Sequence, residues 1–261
     1  MDLLSAKDAA LSYLKPVSKG ILNLFHSKLT VQLKDDQSPV TIADKRAEEF
    51  LRKKISRDFP DCGIIGEEFG EENSEREWVW TIDPIDGTRS FIRGIPLFSI
   101  LLALLHKGQP VMGVICLPAL RETAWAVKGQ GAFIGDRRLR VSSHTGIASA
   151  TVATADWYCF KEKKYLQLLQ RLNRDSGLAR TYPDAFGHLL AARGAVDVMV
   201  DPWAYIWDFA PCKIIVEEAG GLFANFTGRK GSICEGTAIT GNPALVKKVQ
   251  KLIRDQENAK K

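Results

Sequence analysis

The sequence predicts an α/β protein of two apposed halves, and three observations predict it. Apolar residues at helical spacing open the chain, short apolar segments separated by turn residues follow, and from about residue 151 strand-like and helix-like segments alternate. A chain of 261 residues with 45% hydrophobic content can bury a sizeable core. No stretch rich in Pro, Ser or charge divides the halves, so subregions of about 1–145 and 146–261 are expected to share an interface within a single unit.

Leu3, Leu4, Leu11, Leu14, Val17, Ile21 and Leu22 give a helix over 3–24, with Pro16 expected to break or kink it. A loop is expected at 35–39. A second amphipathic helix runs over 41–57 through Ala47, Phe50, Leu51 and Ile55 and is ended by Phe59-Pro60. Gly63–Gly66 reads as a short buried strand leading into two glutamates, and 78–82 as a strand stopping at Asp83-Pro84, after which Gly87 opens a helix or tight turn. Segments 99–106 and 111–117, joined by Lys107-Gly108-Gln109-Pro110, read as a hairpin, and 124–127 with the glycine-rich 129–135 continues the meander. The second half reads as strand 151–154, helices 163–174 and 185–192, strand 197–200, helix 207–219, strand 221–224 and helix 243–254.

The formal charge of +5 would suggest a nucleic-acid partner, but residues 247–261 hold six Lys or Arg against two acids and so carry four of the five charges. The rest of the chain is nearly neutral, and the excess reads as a solvated helix and tail. Cys62, Cys116, Cys159, Cys212 and Cys234 are odd in number and form no CxxC pair, which argues against a disulfide framework or a zinc site. The start lacks the basic and continuously apolar parts of a signal peptide, and the longest apolar run, 100–105, is too short to cross a bilayer. A cytoplasmic protein with neither membrane nor nucleic acid as partner is expected.

Three acidic segments stand where strands end or helices begin: Gly66-Glu67-Glu68, Asp83-Pro84-Ile85-Asp86-Gly87-Thr88 and Trp207-Asp208. Strand ends are where α/β enzymes build their sites, and clustered carboxylates there can supply a hard divalent cation with oxygen ligands. Asp-Pro and Asp-Gly also form turns unaided. The turn reading loses weight because Glu67, sixteen positions upstream of Asp83, also follows a strand. Asp208 could act as a helix cap, and Asp44 could support the first turn of its helix. The histidines His26, His106, His144 and His188 show no metal-ligand spacing, and Trp203, Tyr205 and Trp207 read as core or interface ahead of a substrate wall.

On the DPIDGT hexapeptide at 83–88, the GEE at 66–68 and the WDFAP at 207–211, the sequence resembles the inositol monophosphatase family over essentially its whole length. The resemblance implies an αβαβα sandwich, a homodimer, and two or three Mg²⁺ ions acting on a small phosphate monoester. Carried over by position, Glu67, Asp83 and the carbonyl of Ile85 hold the first metal, while Asp83, Asp86 and Asp208 hold the second. Two such cations neutralise phosphate oxygens and lower the pKa of a bound water. Thr88, hydrogen-bonded to Asp44, is implied to orient that water with Glu67, and the Gly87 and Thr88 amides to face the phosphate. A noncatalytic binding protein on this fold would be expected to lack one of these ligands, and none is missing.

The substrate is expected to be set elsewhere. Arg89-Ser90-Phe91 after DGT resembles the histidinol-phosphate phosphatase branch, as do 67–72 and 184–188. Pro183, Asp184, Ala185 and Asp201 align with substrate-contacting loops, and a carboxylate from Asp184 or Asp201 suits a cationic alcohol such as histidinol. Asp201 could instead bind a sugar-like hydroxyl, so an inositol, sugar or nucleotide 3′-phosphate remains the alternative ester.

Overall fold

The computed structural model describes residues 1–25, 27, 30–34, 39–228 and 231–258. Expectations for residues 35–38, His26 and the last residues of the basic tail lie outside them.

The first helix, α1 (Leu3–Phe25), buries Ala6, Ala10, Tyr13, Leu14, Val17, Ile21 and Phe25 along one face. It is not broken at Pro16 but runs through it. Pro16 and Ser12, whose carbonyl the missing N–H would have served, both lie on the exposed side, where the freed group is open to solvent. A two-residue ribbon, β1 (Gln32–Leu33) with β2 (Pro39–Val40), precedes α2 (Ile42–Asp58). Thr41 caps α2: its hydroxyl accepts from the Ala43 N–H, and its own N–H donates to Asp44.

The larger sheet is built from β3 (Gly63–Gly66), β4 (Gly70–Glu72), β5 (Trp78–Asp86), β6 (Ser99–His106), β7 (Gln109–Leu117), β8 (Glu122–Val127), β9 (Gly131–Ile134) and β10 (Arg137–Arg138), with the one-turn helix α3 (Thr88–Phe91) after β5. Its spatial order is β10-β9-β8-β7-β6-β5-β3-β4, antiparallel except where β3 lies parallel to β5. The β6–β7 hairpin forms as expected, with Lys107 and Gly108 both at positive φ in the two-residue turn. Between its ends, from Ile100 to Leu105, strand β6 is apolar because both its faces are covered. Ile100, Leu102 and Leu104 meet α1 and α2, while Leu101, Ala103 and Leu105 face the other way.

The second half adds β11 (Thr151–Thr154), α4 (Trp157–Glu162), α5 (Leu166–Asp175), β12 (Leu178–Thr181), α6 (Asp184–Ala192), β13 (Val198–Asp201), α7 (Ile206–Glu218), β14 (Leu222–Ala224), β15 (Ala238–Gly241) and α8 (Pro243–Asn258). These strands form a second sheet in the order β12-β11-β13-β15-β14, parallel across β12-β11-β13 and antiparallel beyond. Helices α6 and α7 lie between the two sheets, and α5 and α8 cover the outer face of the second. The architecture is a layered αβαβα sandwich.

The helix expected over 163–174 forms as α5 but starts only at Leu166, after Lys164 in a left-handed conformation, and the short helix α4 before it was not expected. Strands β4, β12 and β15 were not legible as strands, and β5 continues past Pro84 to Asp86. All five cysteines are free, and no described helix is long and apolar enough to cross a membrane.

Candidate active site

Strand β5 carries Asp83 and Asp86 three residues apart, a spacing that in a regular strand would send the two side chains to opposite faces. The β5–β6 register shifts between them: Asp83 faces Leu101 and Asp86 faces Ser99, so the bulged strand brings both carboxylates to one place. Asp208 joins them from the first turn of α7, and one oxygen of each of the three lies within 4.8 Å of the others.

Local donors fix each carboxylate. Asp83 Oδ1 accepts from the Ile85 N–H at 2.9 Å. Asp86 Oδ2 accepts from the Ser99 hydroxyl at 2.6 Å and from the Ala185 N–H at 2.9 Å. Asp208 Oδ2 accepts from the Tyr205 N–H at 2.7 Å, reaching back across the start of its own helix. Asp44 does the same on α2, where its Oδ2 accepts from the Thr41 N–H at 2.8 Å. One oxygen of each thus serves its own helix start, as expected for Asp44, whereas Asp208 does so from the third helical position, the cap itself being Tyr205. The other oxygen of Asp44 is fully buried and has no hydrogen-bond partner.

Glu67, beyond the end of β3, is pinned through its N–H to the Ile82 carbonyl at 3.1 Å. Its carboxylate and that of Glu68 both accept from Lys34 Nζ at 2.7 Å, contacts no sequence pattern announced. The Thr88 hydroxyl donates to the Ile85 carbonyl at 2.9 Å and not to Asp44 as expected. The reason is local: Thr88 opens α3 three residues after Ile85, within reach of that carbonyl.

The electrostatics are those of a site short of positive charge. Burial, then Glu67, Asp208 and Asp86, holds Asp83 well above the usual carboxylate range. Burial pushes Asp86 up to about 6, and burial followed by Asp86 raises Asp208. A cluster of oxygen-only donors that raise one another's affinity for protons fits a hard divalent cation, which supplies the missing charge. The partnerless Asp44 Oδ1 fits the same account.

Beside the cluster lies a cleft of about 220 Å³ lined by Pro39, Glu67, Gly87, Thr88, Arg89, Ser90, Asp156, Pro183 and Asp184. Gly87 sits at φ 82°, and a Cβ there would stand 3.1 Å from both Asp184 Oδ2 and the Leu97 carbonyl, so the chain passes close because the residue is glycine. Arg89 is at the rim, its guanidinium 5.4 Å from the centre of the Tyr158 ring. Burial, then Asp86, Asp201 and Asp208, keeps the Asp184 carboxyl well above its ordinary value.

Ala185 contributes its N–H to Asp86. Asp201, expected as an equal alternative to Asp184, does not line the cleft. It is 4% exposed at the end of β13, with Oδ1 accepting from the Trp203 N–H at 3.0 Å and Oδ2 lying 3.5 Å from His188 Nε2. Trp203 and Tyr205 line a separate cavity with Lys163. The residues missed by sequence reading are Lys34, Ser99 and Asp156. Only Asp156 left a signal, as an N-cap-type residue directly after β11.

Comparison with known proteins agrees with this geometry. The model of the inositol monophosphatase family matches residues 4–260. The histidinol-phosphatase of Chlorobaculum parvum is 40% identical over 243 residues, covering 90% of this chain and 92% of that protein. The histidinol-phosphatase of Mycobacterium tuberculosis is 36% identical over 222 residues, covering 83% and 85%. The solved structure of the Thermotoga maritima IMPase superposes with a TM-score of 0.88 at 30% identity over 96% of this chain and 97% of that one. The chain thus belongs to the inositol monophosphatase family of metal-dependent phosphatases and is a phosphoric monoester hydrolase.

Proposed function

We propose that the chain is a Mg²⁺-dependent histidinol-phosphate phosphatase. The observation that carries the substrate is Asp184: a carboxylate lining the same cleft as Glu67 and Thr88, raised by burial and by neighbouring acids, is suited to receive a cation. The alcohol half of histidinol phosphate brings an ammonium and a protonatable imidazole, whereas an inositol ring brings only hydroxyls. The two histidinol-phosphatases at 40% and 36% identity support the same choice.

In this reading Glu67, Asp83 and the Ile85 carbonyl hold one cation, and Asp83, Asp86 and Asp208 hold a second, Asp83 being shared. When bound, such a pair neutralises phosphate oxygens and lowers the pKa of water. The Gly87 and Thr88 amides, at the start of α3 where no intrahelical acceptor precedes them, receive the phosphate. Glu67 and Thr88, with the remaining oxygen of Asp44, orient the attacking water. Arg89 closes the cleft rim, and Ala185, through its N–H, keeps Asp86 aimed. Asp201 acts behind the cleft, with His188. The two subregions, about 1–145 and 146–261, work as one unit. The protein acts as a cytoplasmic homodimer on a small ester and not on nucleic acid, consistent with a positive excess concentrated in residues 247–261.

The test is phosphate release with Mg²⁺ from histidinol phosphate and from inositol-1-phosphate. The expected result is a higher kcat/KM for histidinol phosphate, with the ratio compressed in Asp184→Asn. Loss of a desolvated partner to the substrate cation costs about 2–5 kcal/mol of transition-state binding, and the neutral inositol ester loses much less. Preference for inositol-1-phosphate in the wild type would overturn the substrate and leave the metal chemistry standing.

A further inference from the structure

We infer that Glu48, a residue outside the site, sets the position of Glu67 and thereby the protein's affinity for its first cation; the inference rests on the metal reading above. Glu48 is on α2, one turn after Asp44, and is 0% exposed. A carboxylate taken out of water is tolerated only where donors surround it. Those donors are informative. Glu48 Oε2 accepts from the Glu68 N–H at 2.7 Å, Oε1 accepts from the Phe69 N–H at 3.2 Å, and Oε1 also accepts from Arg52 Nε at 2.8 Å. The two amides are those immediately following Glu67.

Glu67 is therefore gripped on both sides. Its own N–H is bonded to β5, the strand of Asp83, and the next two amides are bonded to α2, the helix of Asp44. Its carboxylate, by contrast, is partly exposed and hydrogen-bonded to the Lys34 side chain, so its placement comes from the backbone beneath it. The residue before it confirms how close the approach is. A Cβ on Gly66 would lie 2.1 Å from Glu48 Oε1, so the Glu48 carboxylate fills the space a side chain at 66 would need. Arg52 extends the grip by donating from Nη2 to the Gly70 carbonyl. One buried Glu–Arg pair thus fastens the turn from β3 to β4 onto α2, and α2 and β5 together fix the distance between Glu67 and the Asp83 cluster.

A merely structural Glu48 would lower stability when altered and leave cation affinity alone. In Glu48→Gln, the new amide group puts an N–H₂ against a peptide N–H or against Arg52, so the grip is lost without a change of size. The test measures Mg²⁺ binding by calorimetry to the full chain, beside melting temperature in chelator. Leu172→Ala serves as control, since it opens a cavity under α5, remote in the fold from this turn. The expected result is a Mg²⁺ dissociation constant about 10–100-fold higher in Glu48→Gln, the range seen when a supporting partner of a metal ligand is removed, with the control unchanged. Equal affinity in Glu48→Gln and wild type, or the same weakening in Leu172→Ala, overturns the inference. Absence of Mg²⁺ binding by the wild type overturns the metal reading itself, before any variant is compared. Should Glu48→Gln fail to fold, Glu48→Asp, which keeps the charge and draws the carboxylate back from the two amides, is measured in the same way: a higher Mg²⁺ dissociation constant is expected, and an unchanged one overturns the inference.

Discussion

Asp83 shows how a residue can be costly to the fold and still be required. Buried and set against three other acids, its carboxyl holds its proton to higher pH than an ordinary carboxylate, so its ionised form is costly in the metal-free protein. Asp83→Asn keeps the oxygen that accepts from the Ile85 N–H while removing the charge. In chelator this variant is expected to melt higher than wild type, by the equivalent of about 0.5–2 kcal/mol, as when a strained site is relieved. Its turnover with Mg²⁺ is expected to fall by several orders of magnitude. Calorimetric melting in chelator and phosphate release check both halves, and a well-folded variant with near-normal hydrolysis would refute the ligand assignment. At this scale the acids themselves were legible, because DPIDGT, GEE and WDFAP put them at strand ends and helix starts. Their supports were not. Lys34, Ser99 and Glu48 act across long chain separations, through bonds that leave no local spacing to read, and the separation of Asp184 from Asp201 depends on which way the end of β13 turns.

At the scale of elements, the site exists because one regular pattern is broken and another is repeated. The bulge in β5 overrides strand alternation, which is why a strand ending at Asp83 was the natural sequence expectation. Helices α2 and α7 each use the acid at their third position to bind the amide just before the helix, and each thereby aims a carboxylate inward. Helix α7 reaches its place by lying almost directly on β7. A Cβ added at Gly113 would meet Ile214 Cγ2 at 2.5 Å and Pro211 Cα at 2.9 Å. Gly113→Ala is therefore expected to cost about 1–3 kcal/mol by overpacking, read as a lower denaturation midpoint, and to lower activity by moving Asp208. An unchanged midpoint would show that the helix yields at little cost. Elements with strong local signals were read well, as with the Lys107-Gly108 turn and the α2 start. Strands β12 and β15 were not, since each is four residues long and is stabilised by its neighbours in the sheet.

For the whole molecule, the expected consequence is a stability that falls toward neutral pH unless a cation is bound. Asp86 is raised by burial to about 6, and burial with the neighbouring acids raises Asp83 and Asp208 as well, whereas in the unfolded chain each titrates near 4. Between those values the folded, metal-free protein holds more protons than the unfolded chain. The stability from the protonated cluster is therefore complete below about pH 4 and is lost as pH rises through about 6 and beyond. Mg²⁺, on the function proposed above, would bind the ionised cluster, so its effect is expected to grow over the same interval. At a free Mg²⁺ concentration one hundred times its dissociation constant, the gain is about 2.7 kcal/mol. Melting curves from pH 4.5 to 8, in chelator and in Mg²⁺, are expected to lie close together at the acidic end and to separate as pH rises, the chelated protein being the one that falls. Parallel curves would mean that the carboxylates are satisfied without a metal, and a gap that widens toward acid would mean that the cation binds elsewhere.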